Sequence, residues 1–150
     1  MKLNTKHFGE IEIIEKEIIT FPNGLFAFED NKKFIIIDNP DKEIPFKWLQ
    51  SIDNPDLTFV IINPFVFKSD YDFFLNESVI EKLEIEEKKD IAVYNIVVIP
   101  EDINKMTVNL AAPIIINVNK FLGKQIILDD SRYSHKHLII QEKQNAKREA

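Results

Sequence analysis

The sequence holds three histidines, 25 carboxylates, three glycines and no cysteine, and these set the chemistry open to it. Without thiols it has no disulfide, thiolate zinc site, iron–sulfur cluster or cysteine nucleophile. His135 and His137 stand two apart, so on a strand both rings fall on one side and offer two metal ligands. A third ligand near them is hard to find, because His7 is the only other imidazole. The expectation is two exposed or half-buried histidines on an edge strand, with no metal. Ser131 and Ser134 neighbour the histidines only in sequence, and no serine occupies a G-x-S-x-G elbow. Gly9, Gly24 and Gly123 cannot form a Walker loop or a dinucleotide-binding turn. Paired carboxylates for glycoside chemistry have no specificity here, since 25 acids make some close pair inevitable. No catalytic residue, cofactor or metal is expected, and the chain reads as a non-enzyme.

Recognition is better supported than catalysis. The run Phe65-Val66-Phe67-Lys68-Ser69-Asp70-Tyr71-Asp72-Phe73-Phe74 follows a strand that ends in Asn63-Pro64. Rings supply burial at an interface and carboxylates select a basic partner, so this loop is the candidate protein-binding site. Phe65, Phe67 and Tyr71 are the expected anchors, and Asp70 and Asp72 the expected charge partners. Phe73 and Phe74 are assigned to the core beneath the following helix. Stacking on single-stranded RNA is disfavoured, because the same acids repel phosphates.

The elements that would carry this loop are short β-rich runs divided by turn residues. Strands are expected at about 2–6, 10–14, 17–21, 33–38, 45–49, 57–63, 91–99, 107–111, 114–118, 125–128 and 135–140. Pro22-Asn23-Gly24, Asn39-Pro40-Asp41 and Asp53-Asn54-Pro55-Asp56 supply turns. One helix is expected from Asn76, a capping residue, to Leu83, with Val79, Ile80 and Leu83 on one face; a shorter helical turn fits 101–105. This predicts a mostly β, small antiparallel barrel-like domain over residues 1–140, with a polar tail over 141–150. Ile36, Val60, Val97 and Ile115 are expected in the core. The runs Phe34–Ile37, Phe59–Ile62 and Ile96–Ile99 lack the alternation of a strand with one wet face, so something must cover the second face: helix and long loops are expected to, and the alternative is that part of it is a partner-binding patch.

Charge excludes further classes. The net charge is −6, and residues 1–130 carry 14 basic and 23 acidic side chains, a net of −9, against +3 for 131–150. Direct nucleic-acid binding is not expected from so acidic a body. No signal peptide or spanning helix is visible, and the default compartment is the cytoplasm. A small-ligand or hydrolytic β-barrel enzyme is the competing reading; it needs an open apolar interior of about 300 Å³ or more, which the Ile- and Phe-rich strands oppose.

Several segments together resemble the family of the flagellar assembly factor FliW. They are Ile19–Glu29 with its Phe-Pro-Asn-Gly-Leu turn, Pro45–Ser51 ending Trp-Leu-Gln-Ser, Phe59–Pro64, Thr107–Asn117 with its Asn-Leu-x-x-Pro run, and Gly123–Leu128. Their order and spacing match over about residues 5–138. Ala27 and Glu84 stand where that family is expected to carry glycine, which argues for a different backbone shape after Gly24 and against a left-handed stop after Leu83. The resemblance implies a cytoplasmic protein with two exclusive partners. One is flagellin, chaperoned before export; the other is the translational repressor CsrA, whose sequestration couples flagellin synthesis to export.

Overall fold

A computed structural model describes residues 1–139; the expected tail, 141–150, lies outside the described residues. The strands are β1 (Lys2–Thr5), β2 (Gly9–Glu12), β3 (Ile19–Thr20), β4 (Lys33–Ile37), β5 (Phe46–Ser51), β6 (Thr58–Ile62), β7 (Ile91–Val98), β8 (Thr107–Val108), β9 (Ile114–Asn117), β10 (Leu122–Gln125) and β11 (His137–Leu138). An α-helix, α1, spans Glu77–Lys82, and single 3-10 turns cover Glu15–Glu17, Pro64–Val66, Lys88–Asp90 and Ile103–Lys105.

β1 and β2 form a separate hairpin that sets Phe8 edge-on against Trp48 of β5, with 5.2 Å between ring centres. The other strands make one sheet that closes on itself as a seven-stranded barrel. β7 is the branch point. Its first half, Ile91–Tyr94, pairs with β9, while Val97 and Val98 pair with β8, to which β11 is added. Closure between β3 and β10 is parallel, Leu122 lying beside Thr20, whereas every other pairing is antiparallel. The barrel is thus antiparallel as expected except at this seam.

Register separates two faces. Ile19, Phe34, Leu49, Ile61, Ile114 and Ile116 are opposed in pairs or share strand parity, and they pack inward with Phe21 and Leu25 at 4% exposure or less. Outside β6 and β7, Ile62, Val97 and Val108 are covered by Phe67, Tyr71, Leu110, Tyr133 and Ile139. Beside them, Val79 and Leu83 of the helix cover Ile115. This is the second-face cover that the unalternating strands require. Of the four expected core residues, Val97 and Ile115 are buried, while Ile36 and Val60 are only partly buried and pack at the margins of these clusters.

The strand expected at 135–140 is reduced to His137–Leu138, and three further strands differ from expectation for identifiable reasons. The strand expected at 17–21 shrinks to two residues because Glu15–Glu17 winds into a 3-10 turn. The strand expected at 125–128 starts instead at Leu122. Gly123 makes this possible, since a Cβ there would sit 2.5 Å from Cζ of Phe21. Beyond Gln125 the Ile126 and Leu128 amides still donate to the carbonyls of Pro113 and Ala111, but Pro113 has no N–H to return, and the ladder lapses. The strand expected at 107–111 stops after Val108, where Asn109 Oδ1 accepts from the Ala111 amide at 3.1 Å and turns the chain.

Candidate protein-interaction site

The loop between β6 and α1 begins as a built turn. Asn63 Oδ1 accepts from the Phe65 amide at 3.0 Å, and Pro64 fits the first position of the 3-10 turn, where its missing N–H costs nothing. After Asp70 the chain runs extended, and its side chains alternate: Tyr71 is buried, Asp72 exposed, Phe73 half-buried, Phe74 exposed and Leu75 half-buried.

Tyr71 is the fixing point. It is 3% exposed, donates its hydroxyl to the Leu110 carbonyl at 2.5 Å, and accepts from Asn95 Nδ2 at 3.3 Å. Burial pushes its phenol up to about 12, partly opposed by the Asn95 hydrogen bond. Its ring packs edge-on to Tyr133 at 4.7 Å, and the Tyr133 hydroxyl accepts from the Asp72 amide at 2.9 Å. Two tyrosines therefore tie the loop to β7 and to the segment after β8.

The expected site residues divide accordingly. Phe67 and Tyr71, expected as exposed anchors, are buried and hold the loop down, Phe67 stacking on His137 at 6.2 Å. Phe65 is 44% exposed, and Asp70 and Asp72 face solvent. Asp70 is already engaged, 3.5 Å from Lys68 Nζ. The assignment of Phe74 to the core is overturned: at 96% it is the most exposed large apolar side chain among the described residues. Phe73, also assigned to the core, is only half-buried and packs at the margin of the two outer clusters. Period-two alternation from Tyr71 is the sequence signal that separates these two phenylalanines, because an outward Asp72 forces Phe74 outward as well.

Around this loop lie two grooves. One, of about 560 Å³, runs past Phe26, Phe74, Val79 and Ile127; the other, of about 630 Å³, runs past Phe65, Phe74, Ile80 and Ile85. Asp130 is held ionised by Arg132, which grips both its oxygens at 2.7–3.1 Å. At the end of the barrel a recess of about 310 Å³ contains Lys47, whose ammonium is committed to Asp38 at 2.9 Å and is thereby kept more basic than usual. His135 and His137 are not brought together with other ligands, and no group of three His, Cys, Asp or Glu among the described residues could hold a metal ion. No helix among them is long and apolar enough to cross a membrane.

Residues 2–139 match the family model described as FliW protein. The flagellar assembly factor FliW of Alkaliphilus metalliredigens is 54% identical over 142 residues, covering 95% of this chain and 88% of that protein. That of Thermoanaerobacter pseudethanolicus is 49% identical over 146 residues, 97% of each. A crystal structure of the flagellar assembly factor FliW superposes with a TM-score of 0.86 at 40% identity, covering 93% of this chain and 96% of that one. With a matching closed barrel, one helix and near-complete coverage, the chain belongs to the FliW family of flagellar assembly factors.

Proposed function

We propose that this protein works without catalysis, as a cytoplasmic binding protein that chaperones flagellin and, in competition with flagellin, sequesters CsrA. Flagellar assembly is a protein-handling role and names no reaction. The observation that carries this reading is the loop from Phe65 to Phe74: exposed rings and carboxylates are fixed in place by buried Tyr71 and Tyr133. A pre-organised surface of this kind loses little entropy on binding. The competing enzyme or carrier needs an open interior, but here the middle of the barrel is filled by Phe21, Phe34, Leu49, Ile61 and Ile114, each fully buried, and the recess of about 310 Å³ at its end has its one ammonium already paired with Asp38.

On this reading CsrA meets Phe65, Asp70 and Asp72, with Phe67 and Tyr71 as their support. Purified chain, flagellin and CsrA mixed in equal amounts should elute as binary complexes only. A stable ternary complex would overturn exclusivity, and failure to bind either protein would overturn the function. Reversing Asp70 and Asp72 to Lys should weaken CsrA binding by about 1–3 kcal/mol with thermal stability nearly unchanged.

A further inference from the structure

The loop's most exposed ring has no task in the fold. Phe74 is 96% exposed, stands where the two grooves meet, and has the exposed side chains of Ile127 (70%) and Phe26 (46%) along the same groove. Ordinary surface phenylalanines are partly covered, so an apolar ring left wholly in water beside further apolar surface marks a contact.

The adjoining backbone is open as well. Ile126 and Leu128 donate their amides to Pro113 and Ala111, which turns the Ile127 amide and carbonyl toward the opposite edge; neither has a partner among the described residues. An extended segment laid along that edge would gain main-chain hydrogen bonds while its alternate side chains met the apolar groove.

Charge selects the occupant. In this groove Arg132 is held by Asp130, and Lys124 donates to Asn23 Oδ1 at 3.2 Å. Asp72 and Asp129 are exposed and have no ion pair among the described residues. Asp72, Glu86, Glu87 and Lys88 line the second groove, and Glu87 pairs with Lys89 at 3.1 Å, so carboxylates outnumber the cations there. We propose that Phe74 and Ile127 form a docking site for an extended, cationic segment of a protein partner in which apolar and basic residues alternate. This rests on the reading of the chain as a protein-binding factor and places a recognition anchor at Phe74.

The test uses the chain and two fluorescein-labelled peptides of about nine residues, one alternating Leu with Lys and the other Leu with Glu, titrated by anisotropy. Saturable binding of the Leu–Lys peptide is expected, weakened about tenfold or more by Phe74→Ser and by Ile127→Pro, with the Leu–Glu peptide at least about tenfold weaker. Phe74 is too exposed for its loss to unfold the chain, so the serine variant decides the matter even where the proline variant fails to fold. Absent binding, an unchanged affinity in Phe74→Ser, or equal affinity for the Leu–Glu peptide overturns the inference. So does sedimentation showing a dimer that Phe74→Ser dissociates, since the occupant would then be a second copy. Flagellin and CsrA are titrated in parallel: binding of neither, with Phe74-dependent peptide binding intact, would remove the proposed function and leave the docking site.

Discussion

At Ala27 and Glu84 the backbone takes φ of 69° and 54°, a left-handed conformation that costs an L-residue about 1–2 kcal/mol. Glycine is absent at both places, yet the glycine-like shape is kept, contrary to what the side chains argue by themselves. At Glu84 the reason lies across the barrel: Asn117 Nδ2 donates to the Leu83 and Glu84 carbonyls at 2.8 and 3.1 Å and holds the helix end in place. At Ala27 the Leu25–Phe28 bridge and the Glu29 carboxylate, which accepts from the Ala27 amide at 3.3 Å, do the same. Ala27→Gly and Glu84→Gly should each raise unfolding free energy by about 0.5–1 kcal/mol, the relieved strain being partly offset by glycine's greater unfolded entropy. Urea melts of the single variants check this, and unchanged midpoints would mean the turns relax without strain. Gly24→Ala should do the opposite, because a Cβ there would meet the Glu29 backbone at 2.5 Å. Tyr71 supplies a pH signature. Its phenol is raised in the folded chain to about 12, above the unfolded value of about 10, so its stabilising share is complete below about pH 10 and is lost as pH climbs through about 12. Absorbance titration should show a tyrosine ionising near pH 12 together with alkaline unfolding, and Tyr71→Phe should cost about 1–2 kcal/mol at neutral pH.

The helix shows how an element can be legible from one end only. Asn76 caps it as its residue type predicts, Oδ1 accepting from the Val79 amide at 2.9 Å, and of the expected face Val79 and Leu83 are buried while Ile80 is exposed. Its C-terminal stop comes from Asn117, 33 residues downstream of Glu84 in β9, which no local pattern can announce. Asn117 is 1% exposed and also accepts from the Asn119 and Lys120 amides. Removing it strands two carbonyls and two amides, so Asn117→Ala should destabilise by about 2–4 kcal/mol against about 1 kcal/mol for Asn76→Ala, measured by chemical denaturation. The same division runs through the strands. β4, β6 and β7 follow their apolar runs closely, whereas β10 is displaced because its start depends on a ring, Phe21, that only the closed barrel brings to Gly123. At the candidate site the loop's location was readable from its aromatics and acids. Its inward and outward residues follow the period-two alternation from Tyr71, but which parity faces in is set by hydrogen bonds to Leu110 and Tyr133 that no local pattern announces.

Taken whole, the molecule is a barrel with apolar clusters inside and outside its wall, and what it leaves for partners is charge together with scattered exposed rings and aliphatic side chains such as Phe74 and Ile127. Residues 1–130 have a net charge of −9. Such a field repels phosphates, and retention of RNA at physiological salt in the absence of a basic partner is not expected. Toward a basic protein the same field is a long-range guide whose reach is the Debye length, about 30 Å at 0.01 M salt and about 8 Å at 0.15 M. On the proposed reading, the rings and carboxylates of the Phe65–Phe74 loop would act only on contact, at a few ångströms, where screening is slight. Salt should therefore act on encounter and leave dissociation nearly alone. In stopped-flow association with CsrA the on-rate should fall by about tenfold or more between 0.01 and 0.5 M salt, while the off-rate changes by less than about threefold. Replacing Phe74 should shift the balance the other way, raising the off-rate with the salt slope of the on-rate intact. An on-rate indifferent to salt would show that the acidic body steers nothing, and its charge would then serve solubility alone.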